Sequence, residues 1–231
     1  MKNKTDTLQG GHTDVMKELV RKELFLSTPR PLYLFCFLSA LLLIPAYPAV
    51  VGVGYCFLAV FIACNYQRAN RDIEFTAALP VKRSDIVVGK AVLVMAFQLL
   101  QLAVAAAAAA AADYLIYPDG NIVGMDPNLA FFGIVLIGYG AFNVVFLPGY
   151  FSTGYKAGAP VLFGLAAFLA VYGAAETTVQ LIPAVRSALD TLDAGALYIR
   201  AAVFVLGAAV YAAAVFSGVK LAQKKFDKVS L

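Results

Sequence analysis

The chain has 231 residues, of which 61% are apolar and 14% charged, with a formal charge of +4. A soluble domain carries about 25% charged residues, so this is not the composition of a water-soluble globule. The positive balance calls for no nucleic-acid partner, because the basic residues fall in the segments between apolar stretches. A single histidine, His12, also excludes a His-based metal centre or a His-dependent triad within one chain.

Residues 1–31 read as a cytoplasmic arm rather than a cleavable signal, since no short apolar core precedes a small-residue cleavage site. Within the arm, 14–26 is DVMKELVRKELFL. At ~100° per residue, Val15, Met16, Leu19, Val20, Leu24 and Leu26 cover one half of a helix, and Lys17, Glu18, Arg21 and Lys22 the other. The pattern predicts an amphipathic helix in the inner membrane interface. Glu23 falls in the middle of the apolar half. There a carboxylate either reaches up to water or meets a cation, with Arg68, Arg71 or a partner protein as candidates.

Apolar stretches follow at 32–66, 91–116, 129–151, 160–182 and 197–221. A helix needs roughly 20 apolar residues to cross ~30 Å of hydrocarbon. The first stretch carries Pro45-Ala46-Tyr47-Pro48 near its middle and reads as two helices in a hairpin. As an α-helix, 32–44 would reach only about 20 Å at ~1.5 Å per residue, so this pair is either two crossings or a re-entrant hairpin. The expected fold is all-α, a polytopic membrane protein with six transmembrane helices in 32–222 and a tail at 223–231. Cys36, Cys56 and Cys64 lie in apolar stretches without CxxC spacing and read as packing residues.

The segment 67–90 is more structured than a connection requires. Asp72 is placed to cap a two-turn helix through Ala78, and Pro80 ends it. Ser84 then caps a new helix, with Asp85 in its first turn where the dipole favours an anion. That helix continues into the third membrane segment. There Gln98 and Gln101 share a face at i, i+3, and eight alanines at 105–112 let neighbouring backbones approach closely.

Beyond it, Asn143 lies in the fourth membrane helix, and Glu176, Thr177 and Gln180 lie towards the outer end of the fifth. Polar groups at such depths are candidates for a substrate pathway, although Glu176 is also close enough to the surface for a solvated carboxylate. The outer connections are short. Residues 117–128 are rich in turn formers. Residues 183–195 read as a short amphipathic helix, with Val185, Leu189 and Leu192 on one side and Arg186, Asp190 and Asp193 opposite.

Sixteen of the eighteen Lys and Arg residues then fall on one side of the membrane, leaving Arg186 and Arg200 towards the other. Positive charge stays cytoplasmic, so both termini are expected inside, in the cytoplasmic membrane.

The core Leu79-Pro80-Val81-Lys82-Arg83, followed by Asp85-Ile86-Val87 and Lys90, resembles the membrane subunits of ABC-2 type exporters, which carry an LP-x-x-R-x-x-I-V-x-x-K pattern after the second membrane helix. Leu147-Pro148-Gly149-Tyr150-Phe151-Ser152-Thr153-Gly154-Tyr155-Lys156 is similar to that family's LP-x-x-F-x-x-G pattern after the fourth. Within that family the chain looks similar to the small permeases of phenol-soluble modulin exporters. The polyalanine third helix and Ser152-Thr153 depart from the common pattern.

The resemblance implies a non-enzymatic permease. A separate nucleotide-binding ATPase subunit would bind ATP and Mg, and a second permease chain, identical or different, would complete the pathway. This chain has no cofactor of its own and no G-x-x-x-x-G-K-[ST] motif. By the resemblance, coupling to the ATPase would fall to Glu23, Arg71, Asp72, Glu74, Leu79, Pro80, Lys82, Arg83 and Asp85. Gln98, Gln101, Asn143 and Glu176 would face the pathway, and the cargo would be an amphipathic or hydrophobic peptide. A non-transporting membrane assembly or peptide-immunity protein is the alternative. A membrane enzyme is disfavoured, because no GxSxG, HExxH or paired intramembrane carboxylates occur.

Overall fold

The computed structural model describes residues 14–116, 121, 123–191 and 193–229. Lys2, Lys4, His12, the 117–120 part of the outer turn, Leu192 and the last two residues lie outside them. Among the described residues every regular element is helical.

The arm forms α1, Asp14–Leu26, whose last turn widens to a π-helix over Lys22–Leu26. The chain then bends by 72° into Arg30–Leu43. This second element is a 3-10 helix of 14 residues. The tighter winding changes the length argument. At ~2.0 Å per residue it reaches about 28 Å rather than 20 Å, close to the thickness of the hydrocarbon. It also eclipses side chains three apart, which sets Cys36, Ser39 and Leu42 in one buried line. Cys36 Sγ donates to Phe97 O and Ser39 Oγ to Gly52 O, so that line is stitched to both following membrane helices.

After the turn at Pro45–Pro48 come α2 (Ala49–Ala69), α3 (Asp72–Ala77), α4 (Arg83–Leu115), α5 (Leu129–Ser152), α6 (Gly158–Leu181), α7 (Pro183–Leu189) and α8 (Leu197–Phe226). Five of these, α2, α4, α5, α6 and α8, are long and apolar enough to span a bilayer. With the 3-10 segment, the chain is an all-α polytopic membrane protein.

Two expected caps are corrected. Arg71, in a left-handed conformation at φ 51°, precedes α3, and Asp72 is its first residue rather than its cap. The α4 helix starts at Arg83, ahead of Ser84, and Lys82 stands at its N-cap without a side-chain bond. Ser84 Oγ donates instead to Asp85.

At the centre lies α5, the most deeply buried span, packed chiefly along α8 and α6. Its seam with α8 is made by glycines, because without a hydrophobic drive between helices in lipid, close backbone approach must supply the contact. A Cβ on Gly133 would sit 2.6 Å from Val203 O, and one on Gly218 2.9 Å from Asn143 O. Aromatic rings fill the opposite side, where Phe57 of α2 meets Tyr139, Phe142 and Phe168. The alanine run of α4 contributes a buried stripe at Ala105, Ala108, Ala109 and Ala112.

The topology is tested by single cysteines in a chain whose three native cysteines are replaced by alanine. A cysteine at Asp190 should react with an impermeant thiol reagent applied from outside, and one at Ser84 should not. Outside labelling at Ser84 would invert the order of the spans.

Candidate functional site

The densest polar constellation lies at the end of the molecule carrying α1, α3 and the start of α4. Its centre is a buried ion pair. Glu23 of α1 is 1% exposed and Lys90 of α4 is fully buried, and Lys90 Nζ stands 2.7 Å from Glu23 Oε2. Gln67 of α2 completes a triangle. Its carbonyl oxygen accepts from Lys90, and its amide donates to Glu23 Oε2 at 3.2 Å and to Thr28 Oγ1 at 3.3 Å. Thr28 in turn donates to the Glu23 backbone carbonyl at 2.8 Å.

The expected partners of Glu23 are therefore corrected. Arg68 and Arg71 are exposed, and the cation that meets the carboxylate is Lys90, with Lys22 at 3.5 Å from the other oxygen. The reason is depth. On the buried side of α1, Glu23 lies beside Leu19, and both would touch a side chain built at Gly89. Leu19 and Glu23 thus pack directly over Gly89, with α1 lying on α4. The sequence marked each group as needing a partner without showing that the two meet. Lys90 interrupts an apolar run, where an ionisable group requires a partner, and Glu23 is a carboxylate with the same need.

The network continues outward. Lys22 Nζ bonds Asp72 Oδ2 at 2.6 Å and the Thr76 hydroxyl. Ser27 Oγ donates to Asp72 Oδ1 at 2.8 Å. The first turn of α3 is thereby tied through α1 to the interior of α4. Other residues of α3 and of the turn after it face outward. Glu74, Phe75, Leu79 and Pro80 are exposed, as are Arg71 and Lys82 on either side, and Phe75 is 64% exposed. Between α1, the end of α2 and α3 opens a cavity of about 690 Å³, lined by Val15, Leu19, Tyr66, Phe75, Leu79 and Val81 among others.

Two other coupling candidates lie elsewhere. Arg83 turns to the end of α8, where Nη1 donates to Val229 O at 2.9 Å and to Phe226 O at 3.4 Å. Asp85 is buried in the first turn of α4.

The interior candidates do not converge. Gln98 and Asn143 exchange two amide hydrogen bonds of 3.1 and 2.9 Å between α4 and α5, and Tyr211 of α8 donates to Gln98 Oε1 at 2.9 Å. Gln101 addresses other neighbours, donating to Ser39 Oγ and Gly52 O. All three candidates are buried.

Glu176 accepts from Tyr172 at 2.9 Å and Gln180 at 3.0 Å. It faces a polar cavity of about 430 Å³ at the opposite end, with Asn121, Asp126, Arg186 and Asp190. Burial lifts the Asp126 carboxyl above the usual range, the Asn121 amide partly offsetting it.

The model of the family described as ABC-2 family transporter protein matches residues 18–223. No curated protein and no solved structure matches the chain. The family match covers all the membrane spans and the loop that carries α3. The chain belongs to the ABC-2 transporter family.

Removing one member of a buried ion pair strands the other, at about 3–5 kcal/mol, whereas replacing both by apolar groups is often nearly neutral. Glu23→Ala should therefore lower the unfolding stability of the solubilised chain by that order, and Glu23→Ala with Lys90→Met should recover most of the loss. Glu18→Ala, on the exposed side of the same helix, should have little effect. Additive losses in the double variant would show that the two charges do not depend on each other.

Proposed function

We propose that this ABC-2 family chain is the permease subunit of an ATP-driven exporter, and that α3 is the element through which a separate ATPase subunit moves it. The observation that carries the reading is the asymmetry of α3. Asp72 is locked to the membrane domain through Lys22, Glu23 and Lys90, while Glu74 and Phe75 of the helix and Leu79 and Pro80 of the turn after it are exposed. A short helix with an exposed Phe, held at its base by charges, suits a lever seated in a groove of another protein. Arg71 and Lys82 flank that face and supply charge for orientation.

In this reading ATP and Mg belong to the partner. When two ATPase subunits close on ATP, α3 is displaced, and the ion-paired network passes the displacement to α1 and α4 rather than absorbing it in a loose loop. Glu23 and Asp72 act inside the lever and Glu74 and Leu79 at its contact surface. Arg83 and Asp85 belong to the restart of α4 behind it.

A second permease chain completes the pathway, because α6 and α8 keep broad apolar faces, with Phe163, Leu169, Leu206 and Phe216 exposed. In such an assembly these faces meet the bilayer or the second chain, with both termini and α3 in the cytoplasm. The interior glutamines and Asn143 are used between helices of this chain, so a pathway runs along its outer faces, and Glu176 stands at the outer exit. Apolar faces without a fixed polar pocket suit an amphipathic or hydrophobic peptide as cargo.

The test is co-purification from the native membrane. The tagged chain should carry a nucleotide-binding subunit with it, and Glu74→Lys combined with Phe75→Ser should lose that subunit while remaining folded and monodisperse. A wild-type chain that brings no nucleotide-binding subunit, or a variant that retains it in full, would overturn the docking role of α3.

A further inference from the structure

The residue that opens α4 is electrostatically misplaced. Arg83 is the first residue of that helix, and the helix dipole disfavours a cation at an N-terminus and favours one at a C-terminus. The structure resolves the conflict by sending the guanidinium to the end of a different helix. Arg83 Nη1 donates to Val229 O at 2.9 Å and to Phe226 O at 3.4 Å, and the guanidinium carbon stands 5.4 Å from the centre of the Phe226 ring. The guanidinium thus closes over the turn that follows α8, where Phe226 O also accepts from Val229 N at 3.1 Å. A second bond runs the other way, from Gln223 Nε2 to Ser84 O at 3.3 Å.

Phe226 is itself fully buried, with ring centroids 5.0 Å from Phe151 and 5.8 Å from Tyr155. Tyr155 is a non-glycine residue held left-handed at φ 65°. Such a conformation persists where its surroundings over-determine it, and here Tyr150, Phe151 and Phe226 enclose the ring. The two sequence motifs, 79–90 and 147–156, therefore meet at one point, and what joins them is the end of the last helix.

We propose that Arg83 and Phe226 form a clasp that hands the displacement of the α3 loop to α8. This rests on the reading of α3 as the contact of an ATPase and adds the route by which its movement leaves the cytoplasmic face. Once delivered to α8, the movement has little to dissipate it. The glycine seam holds α8 on the α5 backbone along its length, and at the far end Arg200 donates to Thr191 O at 2.6 Å and to the Asp193 carbonyl. The clasp is thus one end of a rod whose other end grips the outer loop. Arg83 is a positioning residue, acting through Phe226 and Val229.

The experiment uses the assembled permease–ATPase complex. Labels at Ser187 of α7 and Tyr114 of α4 report the distance change at the outer end when a non-hydrolysable ATP analogue is added. Arg83→Met should bind the ATPase as wild type does but lose about threefold or more of that change, the size expected of a residue on a coupling route. Arg83→Lys, which keeps the charge and a donor, should restore part of it. A chain ended after Lys225 keeps all but the last residue of α8 and loses Phe226 with both acceptor carbonyls, so its movement should fall in the same direction even if Arg83→Met fails to fold.

Full movement in Arg83→Met or in the shortened chain would overturn the clasp. So would loss of ATPase binding in Arg83→Met, which would place Arg83 on the docking surface. A wild-type chain that recruits no ATPase fails differently, because it removes the reading on which the clasp rests.

Discussion

Two charges that cannot reach water set the geometry of the whole end that carries α1 and α3. Lys90 lies about two turns inside α4, and Glu23 lies on the buried side of α1. Either one alone would be a buried ion without compensation, whose desolvation costs several kcal/mol. Together, with Gln67 filling the remaining bonds, they hold α1 against α2 and α4 at a single register. Everything at the surface follows from that register. It places Lys22 over Asp72, which holds the first turn of α3, and leaves the apolar side of α3 uncovered.

The membrane interior is organised on a different principle. Amide and hydroxyl groups there are spent on joining helices, Gln98 to Asn143 and Tyr211, and Gln101 to Ser39 and the Gly52 carbonyl. Glycines bring α5 and α8 to near contact. The result is a tightly seamed bundle, with a polar cavity at the Glu176 end and a largely apolar one at the α1–α3 end. A protein built this way suits movement as a body better than specific binding of a small polar ligand at mid-depth, which agrees with a permease half that works against a second chain.

Much of this could be read from the residues, and the failures have physical causes. The long spans and the short helix before Pro80 follow from apolar length and from proline. The apolar and charged halves of α1 were visible, and so was the anomaly of Glu23. Its partner was not, because the pairing bridges residues 67 apart, and periodicity within one helix carries no information about which helix lies beneath it. The 3-10 winding of Arg30–Leu43 was missed because an α-helical rise was assumed. The buried line at Cys36, Ser39 and Leu42, spaced by three, was the available sign. The interior glutamines were legible as unusual, but their type alone does not separate a pathway lining from an interhelical bond. Arg83 was read from its motif as part of a docking surface, and only the arrangement in space shows that it faces α8.

The central claim is that the α1–α3 platform is assembled within the chain by itself, and hydrogen exchange of the isolated chain tests it most directly. Exchange reports local opening, segment by segment. With the ion pair intact, the amides of α1 around Leu19 to Leu24 should exchange slowly in the absence of any partner, and Glu23→Gln should release them while the membrane helices stay protected. Exchange of wild-type α1 at the rate of a free helix until an ATPase is added would contradict the claim, because α1 would then be ordered by docking and not by Lys90.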